Sequence, residues 1–269
     1  MTTAKRRFGQ NFLVDRNVVD RIVSAVAPRR DETIIEIGPG QGALTARLLE
    51  KAGCVVAIEF DRELVRFLRT RFAGVANLHL LEADALTTDF RAAIGSAQSA
   101  RVVANLPYNI ATAILQRLIE QRACISEMIL MLQREVVDRI TAEPGSSERG
   151  YLSVLVEAYC EGEKLFDVSP QSFRPVPKVW STVVRLRVRP RIAAEVKDEA
   201  LLWQVVSAGF AQRRKTILNN LRDAPEFIQE LLQKRGGASI VLCDAGIPPL
   251  RRAETFTLEE WALLVNALA

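Results

Sequence analysis

Histidine is almost missing from this chain of 269 residues; His79 is the only one. Chemistry built on several imidazoles is therefore out of reach. The mid-strand position of His79 marks it as structural. Cysteine is scarce as well. Cys54, Cys124, Cys160 and Cys243 lie far apart and form no CxxC pair. That pattern reads as reduced core residues of a cytosolic protein, with neither a disulfide framework nor a metal site. No apolar run approaches the ~20 residues that cross a bilayer. The start, MTTAKRRFGQ, lacks the apolar core of a signal peptide. The expectation is a soluble, cytoplasmic protein, with a monomer as the simplest assembly. Internal repeats and low-complexity tracts are absent too. What is present is ordinary for a globular chain: 49% hydrophobic and 25% charged residues, enough for a sizeable core.

The net charge is only +4, but it is unevenly placed. Residues 1–30 carry Lys5, Arg6, Arg7, Arg16, Arg21, Arg29 and Arg30 against Asp15 and Asp20. Residues 205–222 carry Arg213, Arg214, Lys215 and Arg222 with no acid. Clusters of this kind suit a polyanion such as nucleic acid. Solvated basic faces are the plainer alternative.

From residue 33 to about 133, short apolar runs alternate with helical patterns. TIIEI (33–37), CVVAIE (54–59), LHLLEA (78–83), RVVAN (101–105) and MILMLQ (128–133) read as strands. ALTARLLEKA and RELVRFLRTRF read as amphipathic helices between them. Such alternation predicts an α/β fold, a mainly parallel sheet with helices on both faces. A leading helix is expected over 15–26, capped by Asp15. Further on, YLSVLVEAY (151–159) has helical spacing, and KLFDV (164–168) and STVVRLRVR (181–189) read as strands. In the last of these, Val184, Leu186 and Val188 share one face, and Arg185, Arg187 and Arg189 the other. That predicts an edge or near-edge strand with a basic outer surface. SPQSFRPVPKVW, with three prolines, predicts an extended loop. Beyond Pro190 only helices are expected. The domains are thus 1–190 and a small all-helical 191–269.

Gly38, Gly40 and Gly42 fall between the first strand of the alternation and its helix. Glycines there permit a tight turn and close approach of backbone to a ligand. Glu59 ends the next strand, where nucleotide-binding folds place an acid for ribose hydroxyls. Taken alone this is ambiguous, since Gly38, Gly40 and Ala43 satisfy a loose dinucleotide pattern. Two acids favour S-adenosylmethionine over NAD. Glu36, inside the strand, suits a cationic methionine end better than a pyrophosphate. Asp84, at the end of the third strand, can accept from an adenine amino group, or simply cap a turn.

The fourth strand ends in NLPY, residues 105–108. Pro107 has a fixed φ and biases Leu106 towards extended geometry. The Asn105 side-chain oxygen and the Leu106 carbonyl then make two acceptors suited to an –NH₂ group. Tyr108 adds a flat face for a base. The exocyclic amine of adenine is a poor nucleophile, and acceptors aimed at its hydrogens direct its lone pair. Against an activated methyl donor, alignment and charge stabilisation then suffice, without metal or histidine.

With these residues assembled, the chain resembles the small-subunit ribosomal RNA adenine dimethyltransferases, the kasugamycin-sensitivity family, over nearly its whole length. FGQNFLVD (8–15), EIGPGQGALT (36–45), IEFD (58–61), EADAL (82–86) and NLPYNIAT (105–112) follow in the family's order. FRPVPKVWS (173–181) is similar to its FxPxPKVxS loop, with Trp180 where an acid is usual. FAQRRKTILNNL (210–221) and AGIPPLRRAETFTLEEW (245–261) resemble its C-terminal helical domain. The resemblance implies a Rossmann-like S-adenosylmethionine-dependent methyltransferase domain followed by a helical domain that recognises rRNA. It implies that Asn11, Leu13, Gly38, Glu59, Asp84 and Asn105 bind the cofactor, and that Asn105, Leu106, Pro107 and Tyr108 hold the target base. Phe173 is either a second stacking partner or a core anchor for the proline loop. The implied reaction places two methyls on each of two adjacent adenines in the 3′-terminal hairpin loop of small-subunit rRNA. The base must leave its stack to be reached. Lys5, Arg6, Arg7, Arg185, Arg187, Arg213, Arg214 and Lys215 are candidates for phosphate contact. The partner is the small ribosomal subunit, and a role in its biogenesis follows. An erythromycin-resistance relative acting on large-subunit rRNA is disfavoured by the QRRKT…NNL and GI…RAE motifs. A DNA adenine methyltransferase lacks support, because no target-recognition insert is present. A non-catalytic assembly or transcription factor of the same fold sits poorly with an intact NLPY and glycine loop.

Overall fold

The computed structural model describes residues 10–269; Lys5, Arg6 and Arg7 lie outside them. The chain opens with a two-residue strand β1 (Phe12–Leu13) and helix α1 (Arg16–Val26). The Asp15 carboxylate caps α1 by accepting from the amides of Asn17 and Val18, as its sequence position predicts. Strands β2 (Thr33–Ile37), β3 (Cys54–Glu59), β4 (Leu78–Glu82), β5 (Ala100–Asn105) and β6 (Ile125–Gln133) follow. Between them run α2 (Ala43–Leu49), α3 (Arg62–Arg71), the single turn α4 (Phe90–Ala93) and α5 (Ala111–Glu120). After α6 (Arg134–Ile140) and α7 (Tyr151–Tyr159) come β7 (Cys160–Val168), β8 (Phe173–Arg174) and β9 (Ser181–Val188).

The main sheet has the order β4-β3-β2-β5-β6-β9-β7. Neighbours from β4 to β6 are parallel, whereas β9 runs antiparallel to both β6 and β7. Ile34, Ile35, Val55, Val102 and Met128 are fully buried, because helices cover both faces of the parallel part. The strand order reverses between β2 and β5. Chains leaving those two strands part to opposite sides, and a crevice opens at their carboxyl ends.

Two sequence expectations need correction here. β9 is second from the end of the sheet, near-edge as expected, but its basic face is not an open surface. Its arginines are matched by acids on both neighbours: Arg185 reaches Glu163 at 3.0 Å and Glu127 at 3.4 Å, and Arg187 reaches them at 3.3 and 3.8 Å. Glu127 also binds Arg101, which reaches Glu32 at 3.3 Å. An apolar/basic alternation suits an interior strand once opposite charges face it across the ladder. The proline-rich segment is also not a plain loop. It contains a helical turn, Pro170–Ser172, and then β8, which pairs with β1 so that Leu13 faces Phe173.

The chain forms two compact units, 1–137 with 160–190, and 138–159 with 191–269. A single cut at 190 therefore misplaces 138–159, which belongs with the helices. The reason is the packing of α7: Tyr159 lies 5.5 Å from Trp203 and accepts its indole N–H at 2.8 Å. In this second unit α8 (Glu199–Gly209), α9 (Ile217–Arg222), α10 (Glu226–Lys234), α11 (Ala238–Asp244) and α12 (Leu258–Leu268) complete the bundle. Its centre is the fully buried Trp261, flanked by Phe256 and Phe210 at 4.8 and 5.7 Å. A Cβ on Gly209 would come within 2.3 Å of that indole. Thr257 and Glu260 close a capping box at the start of α12. The cysteines are all free, but only Cys124 and Cys160 are buried; Cys243 is exposed. His79 is exposed on β4. Among the described residues no helix is long and apolar enough to cross a membrane.

Candidate functional site

A cavity opens at the carboxyl ends of β2 to β5. The glycine loop forms its floor. Gly38, Gly40 and Gly42 all take positive φ, at 67°, 58° and 78°, which side chains resist. Space makes the same demand. A Cβ on Gly40 would lie 3.1 Å from the Phe12 ring, and one on Gly42 would lie 2.7 Å from Phe72. Gly38 and Gly40 line the cavity together with Phe12, which β1 brings across the loop.

The acids are held by backbone. Glu59 accepts the Gly40 amide at 3.2 Å through one oxygen and the Asp61 amide at 2.9 Å through the other. Burial pushes its pKa up, and those two amides oppose the shift. Asp84 accepts the Leu86 amide at 2.9 Å and so serves both as a turn residue and as a wall of the cavity. Glu36 is different. It is 1% exposed, lies outside the cavity lining, and its Oε2 has no hydrogen-bond partner. Burial, with a smaller contribution from neighbouring Glu59, raises its pKa to about 7 against the opposing pull of Thr45. The acids on the lining are Glu59, Asp61 and Asp84, and no Lys or Arg joins them among the described residues.

Asn105 ends β5 at the cavity. Its side-chain N–H donates to the Asn11 carbonyl at 3.1 Å, which leaves the amide oxygen as the free acceptor. The Leu106 amide is tied to the Met131 carbonyl at 3.3 Å, and the Pro107 carbonyl takes the Ile110 amide at 3.2 Å. The tetrapeptide is thereby fixed at both ends. The Tyr108 hydroxyl bonds the Ser181 hydroxyl at 2.8 Å. Burial raises its pKa, with Ser181 opposing, so the ring stays neutral.

Asn11, Gly38, Glu59, Asp84, Asn105, Leu106, Pro107 and Tyr108 all converge on this one cavity. Leu13 and Phe173 do not. Both belong to the buried core, Phe173 with no exposed surface. Phe173 is therefore the core anchor and not a stacking partner. The Leu13–Phe173 pair holds the leading segment down, which places Asn11 and Phe12 over the cavity. Of the basic candidates, Arg185 and Arg187 are engaged in the ion-pair network. Lys215 pairs with Asp223 at 2.8 Å, and Arg213 donates to the carbonyls of Ser147 and Arg149. Arg214 is exposed, with no ion pair or hydrogen bond among the described residues. Sequence reasoning missed Phe12, Phe60 and Ser181. Phe60 follows Glu59 and is 60% exposed at the cavity mouth. An aromatic just past the acid was a usable signal, whereas nothing local announces that Ser181 meets Tyr108 across 73 positions.

Residues 1–262 match the sequence profile of the ribosomal RNA adenine dimethylase family. The chain belongs to that family. A ribosomal RNA small subunit methyltransferase A from Nitrosococcus oceani is 45% identical over 264 residues, 98% of this chain and 95% of that protein. The crystal structure of a dimethyladenosine transferase from Plasmodium falciparum superposes with a TM-score of 0.77 at 24% identity, covering 94% of this chain and 95% of that one. That of the 23S rRNA methyltransferase ErmE gives 0.71 at 28% identity, covering 96% and 99%. As a member of the adenine dimethylase family, the chain is a methyltransferase with a Rossmann-like fold.

Proposed function

We propose that this protein transfers methyls from S-adenosylmethionine to the exocyclic amines of two adjacent adenines in the 3′-terminal hairpin loop of small-subunit rRNA. The observation that carries the reading is the bond from the Asn105 side-chain N–H to the Asn11 carbonyl. It orients the amide so that an acceptor, not a donor, remains for an amino group.

The cavity fits the methyl donor. Its lining offers acids and apolar walls (Ile37, Ile58, Phe60, Leu86) with no cation among the described residues. That suits a sulfonium and a nucleoside, and does not suit the pyrophosphate of NAD. Glu59 would hold ribose hydroxyls, Asp84 the adenine amino group, and the backbone at Gly38 and Asn11 the amino-acid end. When bound, S-adenosylmethionine supplies a methyl already activated on sulfur. The protein's own residues then orient the target. The Asn105 oxygen and the Leu106 carbonyl accept from the amine and direct its lone pair, and the Tyr108 face stacks on the extruded base. The hydrogen bond between the Tyr108 and Ser181 hydroxyls sets the plane of that ring. Arg214, and the basic leading segment beyond the described residues, supply phosphate contacts. The helical unit is assigned to recognition of the small subunit.

The N. oceani relative is named for the small subunit and ErmE for 23S rRNA. The higher identity to the former favours the small subunit. The test supplies labelled S-adenosylmethionine with unmethylated small subunits, large-subunit rRNA and DNA in parallel. Label in dimethyladenine from the small subunit is expected. Label confined to large-subunit rRNA would overturn the assignment.

A further inference from the structure

One apolar patch on the first unit is left uncovered beside the tetrapeptide. Trp180 is 45% exposed, with Val176 and Val179 at 52% and 42%. Tryptophan in water forfeits burial of its largest asset, and an exposed apolar patch with a polar rim marks a contact surface. The patch is held rigidly. The Trp180 carbonyl accepts the Arg134 amide at 3.0 Å. The next residue, Ser181, is fully buried and bonds Tyr108 at 2.8 Å. Trp180 is therefore the chain neighbour of the residue that bonds the proposed base-stacking ring.

Its surroundings are basic. The Arg134 guanidinium lies 5.9 Å from the indole centroid, and its one ion pair among the described residues is a long one, 3.9 Å, to Asp167. Lys178 and Arg174 are exposed in the same segment, and a shallow groove runs between residues 133–135 and 178–180. Against these cations the groove itself holds one acid, Glu135. A flat aromatic face flanked by cations fits a nucleotide, which offers a π-face and a phosphate at that spacing of chemistry.

We propose that Trp180, with Arg134 and Lys178, forms a second stacking subsite for an unpaired nucleotide flanking the target adenine. The proposal rests on the assignment of Tyr108 and Asn105 to the target base. It adds a specificity determinant outside the methyl-transfer cavity: the enzyme grips two nucleotides of the loop, one at Tyr108 and one at Trp180. Extruding the target is then coupled to holding its neighbour.

The test uses the full chain with Trp180→Ala, Trp180→Phe and Lys178→Glu, each checked for an unchanged melting temperature. For Trp180→Ala, KM for unmethylated small subunits is expected to rise about tenfold, while KM for S-adenosylmethionine stays put. Trp180→Phe should recover most of the loss, and Lys178→Glu should raise KM in a salt-sensitive way. Independently, a hairpin oligoribonucleotide with two adjacent loop adenines should quench tryptophan fluorescence in the wild type and in Asn105→Ala, but not in Trp180→Phe. Unchanged KM in Trp180→Ala, absence of quenching in the wild type, or no rescue by phenylalanine would overturn the subsite. A defect on intact subunits with normal hairpin binding would also overturn it, pointing to a ribosomal protein instead. Wild-type protein that methylates no small subunit would sink the underlying assignment, a separate and distinguishable failure.

Discussion

Two groups of charge sit on the same sheet and behave oppositely. Along β9 the arginines are answered residue by residue by Glu127 and Glu163, so the charge cancels within the ladder. At the carboxyl ends of β2, β3 and β4, Glu36, Glu59 and Asp84 face no cation among the described residues, unlike Glu82, which pairs with Arg62 and Arg69. Glu59 and Asp84 are held by backbone amides, and Glu36 by less than that. The first arrangement is complete without a ligand. In the second, Glu59 and Asp84 leave acceptor capacity pointed at a cavity, and this is what distinguishes a site from a scaffold. In sequence the two look alike, as charges set among apolar residues.

The sharpest way to break the comparison is at the uncancelled end. Asn105→Ala removes the oriented acceptor. Turnover should fall 10²-fold or more, roughly 3 kcal/mol in transition-state stabilisation, while RNA binding persists through basic surfaces. Single-turnover methylation alongside filter binding checks both halves. Turnover within a few-fold of wild type would remove Asn105 from the chemistry.

Glu36 offers the next largest effect, and its sign follows from its raised pKa. A carboxylate at about 7 when folded, against 4.5 in the reference state, favours the protonated native form. Its contribution to stability is full below pH 4.5, declines as pH rises, and is lost above 7. Between pH 5 and 8 that is a swing of about 2–3 kcal/mol. Glu36→Gln should flatten the fall in denaturant stability across that window. An equally steep fall in the variant would show that Glu36 is ionised and partnered.

Much of this was legible in the sequence, and the limits follow a pattern. Strand positions from β2 to β6 followed from apolar runs and turn residues. Residues at strand ends (Gly38, Glu59, Asp84, Asn105) reached one cavity because parallel strands bring their carboxyl ends together. What failed depended on who sits across the ladder. Arg185 and Arg187 looked like an outer surface because Glu163 is 22 and 24 positions from them by chain, and Glu127 is farther still. Phe173 looked like a stacking ring because its partner Leu13 is 160 residues away. Alternation tells which residues share a face, but not what that face meets.

Glu127 tests the cancelled group. Its carboxylate serves Arg101, Arg185 and Arg187, with Arg101 and Arg185 each 18% exposed. Glu127→Ala leaves partly buried guanidinium groups short of an acceptor. It should cost about 1–2 kcal/mol in urea unfolding, less than a fully buried pair because water still reaches them. KM for S-adenosylmethionine should not move, since the network lies along the strands and not at their ends. A rise in that KM would join the two charge groups that the structure separates.

The smallest effect is the most discriminating for RNA. Arg187→Ala should change stability by under ~1 kcal/mol, because its pairs are half-exposed. The slope of log affinity against log salt should stay the same, since a cation already answered by Glu163 releases no counterion from RNA. Arg214→Ala, which removes an exposed and unengaged cation, should lower that slope by about 1. Measuring both slopes on small subunits separates the groups by function alone. If Arg187 carries a slope and Arg214 does not, the network opens on binding, and β9 returns to the RNA surface that its alternation first suggested.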